Sequence, residues 1–145
     1  MPGGGQNGLV DLDAARSFVR DNHQAVLSTR RRDGSPQMSP VLVGLAADGT
    51  LLISTRVTAI KTANIERDPR VHLCVMSDGF FGPWVQIAGT AEIIRQPEAI
   101  DVLVEYYRQV AGEHPDWDEY RAAMVREQRC AIRIRPTSAG PDRSG

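Results

Sequence analysis

Two Asp-Gly pairs, Asp33-Gly34 and Asp48-Gly49, interrupt runs in which apolar residues recur with a strand's two-residue period. Asp-Gly between such runs is the strongest short-range hairpin signal, because the tight turn needs positive φ at residues that tolerate it. The runs are Ala-Val-Leu-Ser-Thr (25–29), Met-Ser-Pro-Val-Leu-Val-Gly-Leu (38–45) and Leu-Leu-Ile-Ser-Thr (51–55). They predict a three-strand meander, around which the rest of the chain must fold.

Ahead of it, Leu12, Ala15, Phe18 and Val19 recur at helical spacing behind Asp11, predicting a short amphipathic helix. Behind it, 59–67 reads as a helix stopped at Asp68-Pro69, since the residue before proline is pushed out of the helical region. Val71, Leu73 and Val75 alternate with polar or mixed residues in a fourth strand. Residues 84–94 form a fifth, with Val85, Ile87, Gly89, Ala91 and Ile93 on one face. Helical stripes follow near Pro97 (Ile100, Leu103, Val104, Tyr107) and behind Pro115-Asp116 (Trp117, Tyr120, Met124, Val125). Arg129 to Arg135, alternating apolar and basic, reads as a sixth strand. The expected class is mainly β with α: a six-stranded antiparallel barrel of Greek-key type with flanking helices, because closure removes exposed sheet edges.

With 145 residues the chain supports about one core. The expected domain is 9–135, between flexible ends at 1–8 and 136–145, both rich in Gly or Pro. Seventeen Lys and Arg against eighteen Asp and Glu give no global attraction for nucleic acid. Arg30-Arg31-Arg32 lacks interleaved aromatics and reads as a solvated hairpin tip, or as a reach toward an acidic ligand tail. Cys74 and Cys130 stand far apart without His in ligand spacing, so neither zinc nor a disulfide framework is expected, and a reducing, cytoplasmic setting is. No apolar run approaches the roughly 18 residues of a membrane span. No nucleophile–base pairing or catalytic acid stands out.

The candidate site begins at Ser54-Thr55-Arg56-Val57-Thr58-Ala59-Ile60-Lys61. If Thr58 caps the helix, Lys61 takes the third position, where a capping box carries Glu or Gln, and faces the positive end of the helix dipole. One reading is a surface helix with Lys61 in water. The other is an anion cradle, in which the backbone N–H groups at Ala59 and Ile60, the hydroxyls of Ser54, Thr55 and Thr58, and the cations Arg56 and Lys61 converge. The glycines of a P-loop are missing. Pro40 within a strand marks either an edge or a place where Gln37, Met38, Ser39, Pro40 and Val41 face a planar ligand. The Phe80-Phe81-Gly82-Pro83-Trp84 loop is covered by the core in one reading, and by a second subunit and a ligand ring in the other.

Thr55-Arg56 with Lys61-Thr62-Ala63-Asn64-Ile65-Glu66-Arg67-Asp68-Pro69-Arg70-Val71, placed after 33–41 and before Gly89-Thr90-Ala91-Glu92, resembles the pyridoxamine 5'-phosphate oxidase-like split-barrel superfamily. The segment Ala111 to Arg121 is similar to the actinobacterial members that use the deazaflavin coenzyme F-420. The resemblance implies an FMN-binding split-barrel fold and a homodimer with cofactor at the subunit interface. Lys61 and the residues before it hold the phosphate, Gln37 to Val41 line the tricyclic ring, and Trp84 approaches from the partner. Flavin-using relatives often carry a hydroxyl residue two before the lysine, where this chain has Ala59, so F-420 is expected ahead of flavin mononucleotide. Because the chain ends in a Gly/Pro tail, vitamin B6 oxidation is not expected. The implied activity is hydride transfer from reduced deazaflavin to a small electron-poor molecule. A non-catalytic carrier of cofactor, or of haem on His72 or His114, is the alternative from another class.

Overall fold

Asp11 accepts the backbone N–H of Ala14 at 3.2 Å and starts α1 (Leu12–Asp21), whose inner face buries Ala15 and Val19. This is the first helix of a computed structural model that describes residues 9–142. The expected flexible stretch 1–8 and the last three residues of the expected tail lie outside the described residues.

Both Asp-Gly signals make the turns they predict. The first joins β1 (Gln24–Arg30) to β2 (Pro36–Leu42), with Asp33 Oδ1 accepting the N–H and hydroxyl of Ser35 and Gly34 at φ 85°. The second joins β3 (Gly44–Leu45) to β4 (Leu51–Arg56), with Asp48 accepting from Thr50 in the same way.

The meander itself does not form. The run 38–45 breaks at Val43, which is fully buried and clasped by His23: Val43 N–H donates to the His23 carbonyl at 2.8 Å, and His23 Nδ1 lies 2.9 Å from the Val43 carbonyl. The chain bends there, so β4 pairs not with β2 but with the last strand. With β5 (Arg70–Met76), β6 (Trp84–Ile94) and β7 (Arg129–Asp142), the described residues form one seven-stranded antiparallel sheet, one strand more than expected, in the order β2-β1-β5-β6-β7-β4-β3. Its two outermost strands, β2 and β3, are joined through Val43 alone. The sheet must therefore curl until its edges meet, which makes the split barrel.

The expected loose tail is a second correction, because β7 continues through Pro136 to Asp142. Up to Ile134 it pairs with both β4 and β6; beyond, β6 remains on one side and only an isolated bridge to Val10 on the other. A proline is tolerated where no neighbouring strand demands its missing N–H, and Pro136 falls in that one-sided stretch.

Leu27, Ile53, Leu73, Ile87, Ile132 and Ile134 fill the barrel and are essentially inaccessible. Each such side chain contributes about 1.5–3 kcal/mol by leaving water. Outside, α3 (Ala99–Ala111) and α4 (Trp117–Arg126), the latter capped by Asp116, close a second cluster around Leu103, Val104, Tyr120, Met124 and Ala131. Between β4 and β5 runs α2 (Ile60–Arg67).

Candidate functional site

Helix α2 begins one residue later than Thr58 predicts. Residues 56–59 make a turn, Ala59 N–H donating to the Arg56 carbonyl at 3.1 Å, and Ala59 becomes the N-cap, with no side-chain capping bond. Lys61 is thus the second helical residue, not the third. The first turn carries no carboxylate. Among the described residues, the backbone N–H groups of Thr58, Ile60 and Lys61 have no acceptor, and neither Arg56 nor Lys61 has an ion-pair partner. A helix start presents a partial positive charge; here Lys61 stands at it without a counter-ion, and Arg56 ends the strand just before it, on the same side of β4 as Ser54 by strand alternation.

Lys61 Nζ reaches Ser39 Oγ at 3.5 Å, so the helix start and β2, the two halves of the candidate site, meet. The hydroxyls expected to converge do not all do so. Thr55 is buried, its hydroxyl 3.3 Å from that of Thr62, which donates to the Arg56 carbonyl at 2.7 Å. Ser54, one residue earlier on the strand, faces the opposite side of the sheet and borders a different cavity, under α3 and α4. Thr55 is thus buried within the fold, Ser54 lines the other cavity, and Thr58 stays exposed beside the helix start.

Three buried polar residues that sequence reasoning passed over set the position of α2. Asn64 Nδ2 donates to Thr29 Oγ1 at 3.1 Å, Thr29 Oγ1 donates to Gln37 Oε1 at 3.1 Å, and Arg67 bridges Asn64 Oδ1 and the Arg30 carbonyl. Thr29 and Thr62 are fully buried and Asn64 nearly so. This chain of bonds ties α2 to β1 and β2, and so fixes Lys61 against Ser39. The sequence offered no periodic signal for Thr62 and Asn64, because residues two apart in a helix do not share a face; only the packing of α2 turns both inward.

Strand β2 lies at one edge of the sheet, which accounts for Pro40. Its residues alternate strictly. Gln37, Ser39 and Val41 turn inward, whereas Pro36, Met38, Pro40 and Leu42 are exposed, Met38 to 61%. The cross-strand rows extend this face: Pro40, Val26, Cys74 and Gln86 in one, Leu42, Gln24, Met76 and Trp84 in the next. A shallow cavity of ≈ 340 Å³ opens on it, with Met38, Ser28, His72 and Cys74 in its walls. Burial raises the Cys74 thiol above its ordinary value, keeping it protonated. Trp84 stands at the far side of this face, separated from β2 by β1 and β5. Beyond it Phe80 and Phe81 pack edge to face at 4.9 Å and are 78% and 94% exposed, so this chain's own core does not cover them.

His114 is enclosed by Tyr107, Trp117 and Tyr120, and its Nδ1 accepts the Asp116 N–H at 2.9 Å. A neutral ring in that state carries its proton on Nε2 and has its Nδ1 lone pair engaged by the Asp116 N–H, so in this arrangement neither nitrogen offers a free lone pair. Among the described residues no three His, Cys, Asp or Glu side chains gather as a metal site, and no helix is long and apolar enough to cross a membrane.

Residues 12–140 match the family described as pyridoxamine 5'-phosphate oxidase. In three dimensions the chain is similar to a conserved hypothetical protein from Mycobacterium tuberculosis, with TM-score 0.73 and 24% identity over 92% of this chain and 86% of that one. It is similar also to an F-420 reductase, with TM-score 0.65 and 22% identity over 87% and 95% of the two chains. An FMN-binding, pyridoxamine 5'-phosphate oxidase-related protein from Nostoc punctiforme gives TM-score 0.63 and 17% identity over 88% and 80%.

Proposed function

The chain belongs to the pyridoxamine 5'-phosphate oxidase family, and from that premise we propose that it is an F-420-dependent oxidoreductase acting as a homodimer. The observation that carries this reading is the uncapped, carboxylate-free start of α2, with Arg56 and Lys61 unpaired among the described residues and Lys61 within reach of Ser39. A phosphate satisfies all three demands together: acceptors for the free N–H groups, a counter-charge for the two cations, and a negative group at the positive end of the helix.

Lys61, Arg56, Thr58 and the N–H groups of Ile60 and Lys61 hold the phosphate, while β2 offers Met38, Pro40 and its edge to the flat ring. When bound, reduced deazaflavin supplies a hydride from C5 to an electron-poor carbon of the acceptor, and a proton from water completes the reduction. The residues' part is to bind, to orient and to exclude solvent. A second subunit over the apolar face of β2, β1, β5 and β6 shields the ring and brings its own Trp84 to it. Two free cysteines, Cys74 and Cys130, suit a reducing cytoplasm.

Ala59, lacking a hydroxyl, favours the deazaflavin over flavin mononucleotide. The test is a parallel titration of both cofactors against the purified chain, following fluorescence quenching, and then turnover of reduced F-420 with quinones, enones and nitroaromatics. Tighter binding of F-420 with hydride transfer supports the reading. Preference for flavin mononucleotide, or tight F-420 binding with no transfer to any acceptor, replaces it with a flavin enzyme or a carrier.

A further inference from the structure

The helical flank of the barrel holds a cavity that the phosphate cradle does not use. It measures ≈ 300 Å³, and its walls include Leu42, Ser54, Tyr106, Tyr107, Tyr120 and Arg129. It is a cleft open to solvent on one side, and about 150 Å³ suffices for benzene in a closed cavity, so one or two fused rings lie against its wall rather than being enclosed by it.

Its aromatic wall is held in place before any ligand arrives. Tyr106 donates its hydroxyl to the Leu42 carbonyl at 3.2 Å and Tyr120 to the Leu103 carbonyl at 2.9 Å. Tyr107 meets Tyr120 edge to face at 5.0 Å and Trp117 at 5.7 Å, so its ring is braced from behind. Burial pushes both the Tyr106 and Tyr120 phenols up, Tyr120 to about 12, so neither contributes negative charge near neutral pH.

Three polar groups stand in this otherwise apolar pocket with bonding capacity left, one of them the Tyr107 hydroxyl, which has no hydrogen-bond partner among the described residues. Ser54 has no hydrogen-bond partner for its hydroxyl among the described residues. Arg129 gives Nε to Glu127 at 3.1 Å, which leaves both Nη groups without an acceptor among the described residues. Its backbone is fixed, because Gln96 Nε2 donates to the Arg129 carbonyl at 2.9 Å while also holding that of Met124. In the β4–β7 ladder Arg129 lies directly opposite Arg56. Like charges so placed destabilise a sheet, and Glu127 balances only one of the two.

We propose that this cavity binds a flat, conjugated carboxylate of one or two rings, with its carboxylate on Arg129 and Ser54 and its ring against Tyr107. The binding site stands on the cavity alone and is independent of the deazaflavin reading above. An aromatic wall with one guanidinium and one hydroxyl selects for shape through the ring and for charge through the carboxylate.

The test uses 4-nitrobenzoate and its methyl ester as probes, titrated calorimetrically into the full chain. The acid should bind at least tenfold more tightly than the ester. Arg129→Ala should bring the acid down to the affinity of the ester without changing the ester, and Tyr107→Ala should weaken both. Arg129→Gln, with a thermal melt of each variant, guards against loss of fold. Equal affinity for acid and ester, no binding of either, or an unchanged acid in both folded Arg129 variants overturns the proposal. F-420 titration of the same proteins separates the two readings. Cofactor binding with no acid binding removes the cavity assignment and leaves the cofactor. Acid binding without cofactor binding keeps the site and removes the deazaflavin reading.

Discussion

Lys61 Nζ lies 3.5 Å from Ser39 Oγ, across 22 residues of sequence, so the cation of α2 and the middle of edge strand β2 form one rim. If that rim holds the phosphate of F-420, Lys61→Ala removes one charge-assisted hydrogen bond and weakens binding by about 1.5–3 kcal/mol, roughly ten- to a hundredfold in Kd. The variant's melting temperature should stay close to that of the parent, because Lys61 has no ion-pair partner to lose. An unchanged cofactor Kd in the folded variant refutes the cradle.

Asn64→Ala tests what holds Lys61 there. Asn64 is 4% exposed and is bonded to both Thr29 and Arg67. Its truncation leaves buried polar groups short of partners, at a cost of about 1–3 kcal/mol. Urea denaturation should report that loss, and F-420 affinity should fall with it as α2 loosens. Ala63→Ser, on the exposed side of the same helix, should stay within about 0.5 kcal/mol.

Gly89 faces Pro136 across β6 and β7, beside a shift in their register. A Cβ there would lie 2.6 Å from Ile134 Cγ2 and 2.7 Å from the Arg135 carbonyl oxygen. The carbonyl belongs to strand backbone paired with β6 at Thr90 and not to a flexible side chain, so Gly89→Ala should destabilise by about 1–3 kcal/mol through overpacking. A melting temperature equal to the parent's would show that the two strands can part locally.

Helices α1, α3 and α4, strands β1, β5 and β6, and both Asp-Gly turns were legible in the chain because each depends on local signals: a cap, a period, a turn residue. The break at Val43 was not, since 38–45 is continuously strand-like and bends only because His23 and the closing barrel hold Val43 from both sides. Pro136 to Asp142 read as a tail because its Pro and Gly content disfavours a strand; what makes it one is the long edge of β6, a partner 40 or more residues away. In the site, the excess of cation over carboxylate around α2 was visible in sequence. Strand alternation parts Ser54 from Thr55, and the buried Thr29–Asn64 contact is tertiary, so neither emerged from a search for converging hydroxyls.

Asp48 links a turn to the last strand. Its carboxyl is held below the ordinary value of 3.8 first by the Thr50 hydroxyl and backbone N–H, then by Arg133 at 2.9 Å. A depressed folded-state pKa means that the contribution to stability is complete above the unfolded value and is lost as pH falls through the folded one. Asp48→Asn should therefore lower the melting temperature at pH 7, modestly because the side chain is half exposed. The gap to the parent should close as pH drops below 3.8; a gap that stays constant down to pH 2 would mean that the carboxylate's charge plays no part.

Met38 stands 61% exposed on the outward face of β2, in the wall of the same shallow cavity as Ser28, His72 and Cys74. Pro40 and Leu42 extend this apolar face along β2, Val26 extends it across β1, and Phe80 and Phe81 lie bare beyond its far end. Exposed apolar side chains grouped on one face mark a candidate association surface, and β2 adds an edge strand to it. If a second copy covers it, Met38→Asp places a charge where the pairing must exclude water, and desolvating an unpartnered carboxylate costs several kcal/mol. Sedimentation velocity should then find a monomer where the parent is a dimer. The far-ultraviolet spectrum should be unchanged, because the side chain is already outside the core. F-420 affinity should drop in parallel, since the monomer keeps the phosphate cradle but lacks the wall that shields the ring. A variant that remains dimeric, or a parent that is monomeric, locates the subunit contact elsewhere and separates it from the cofactor.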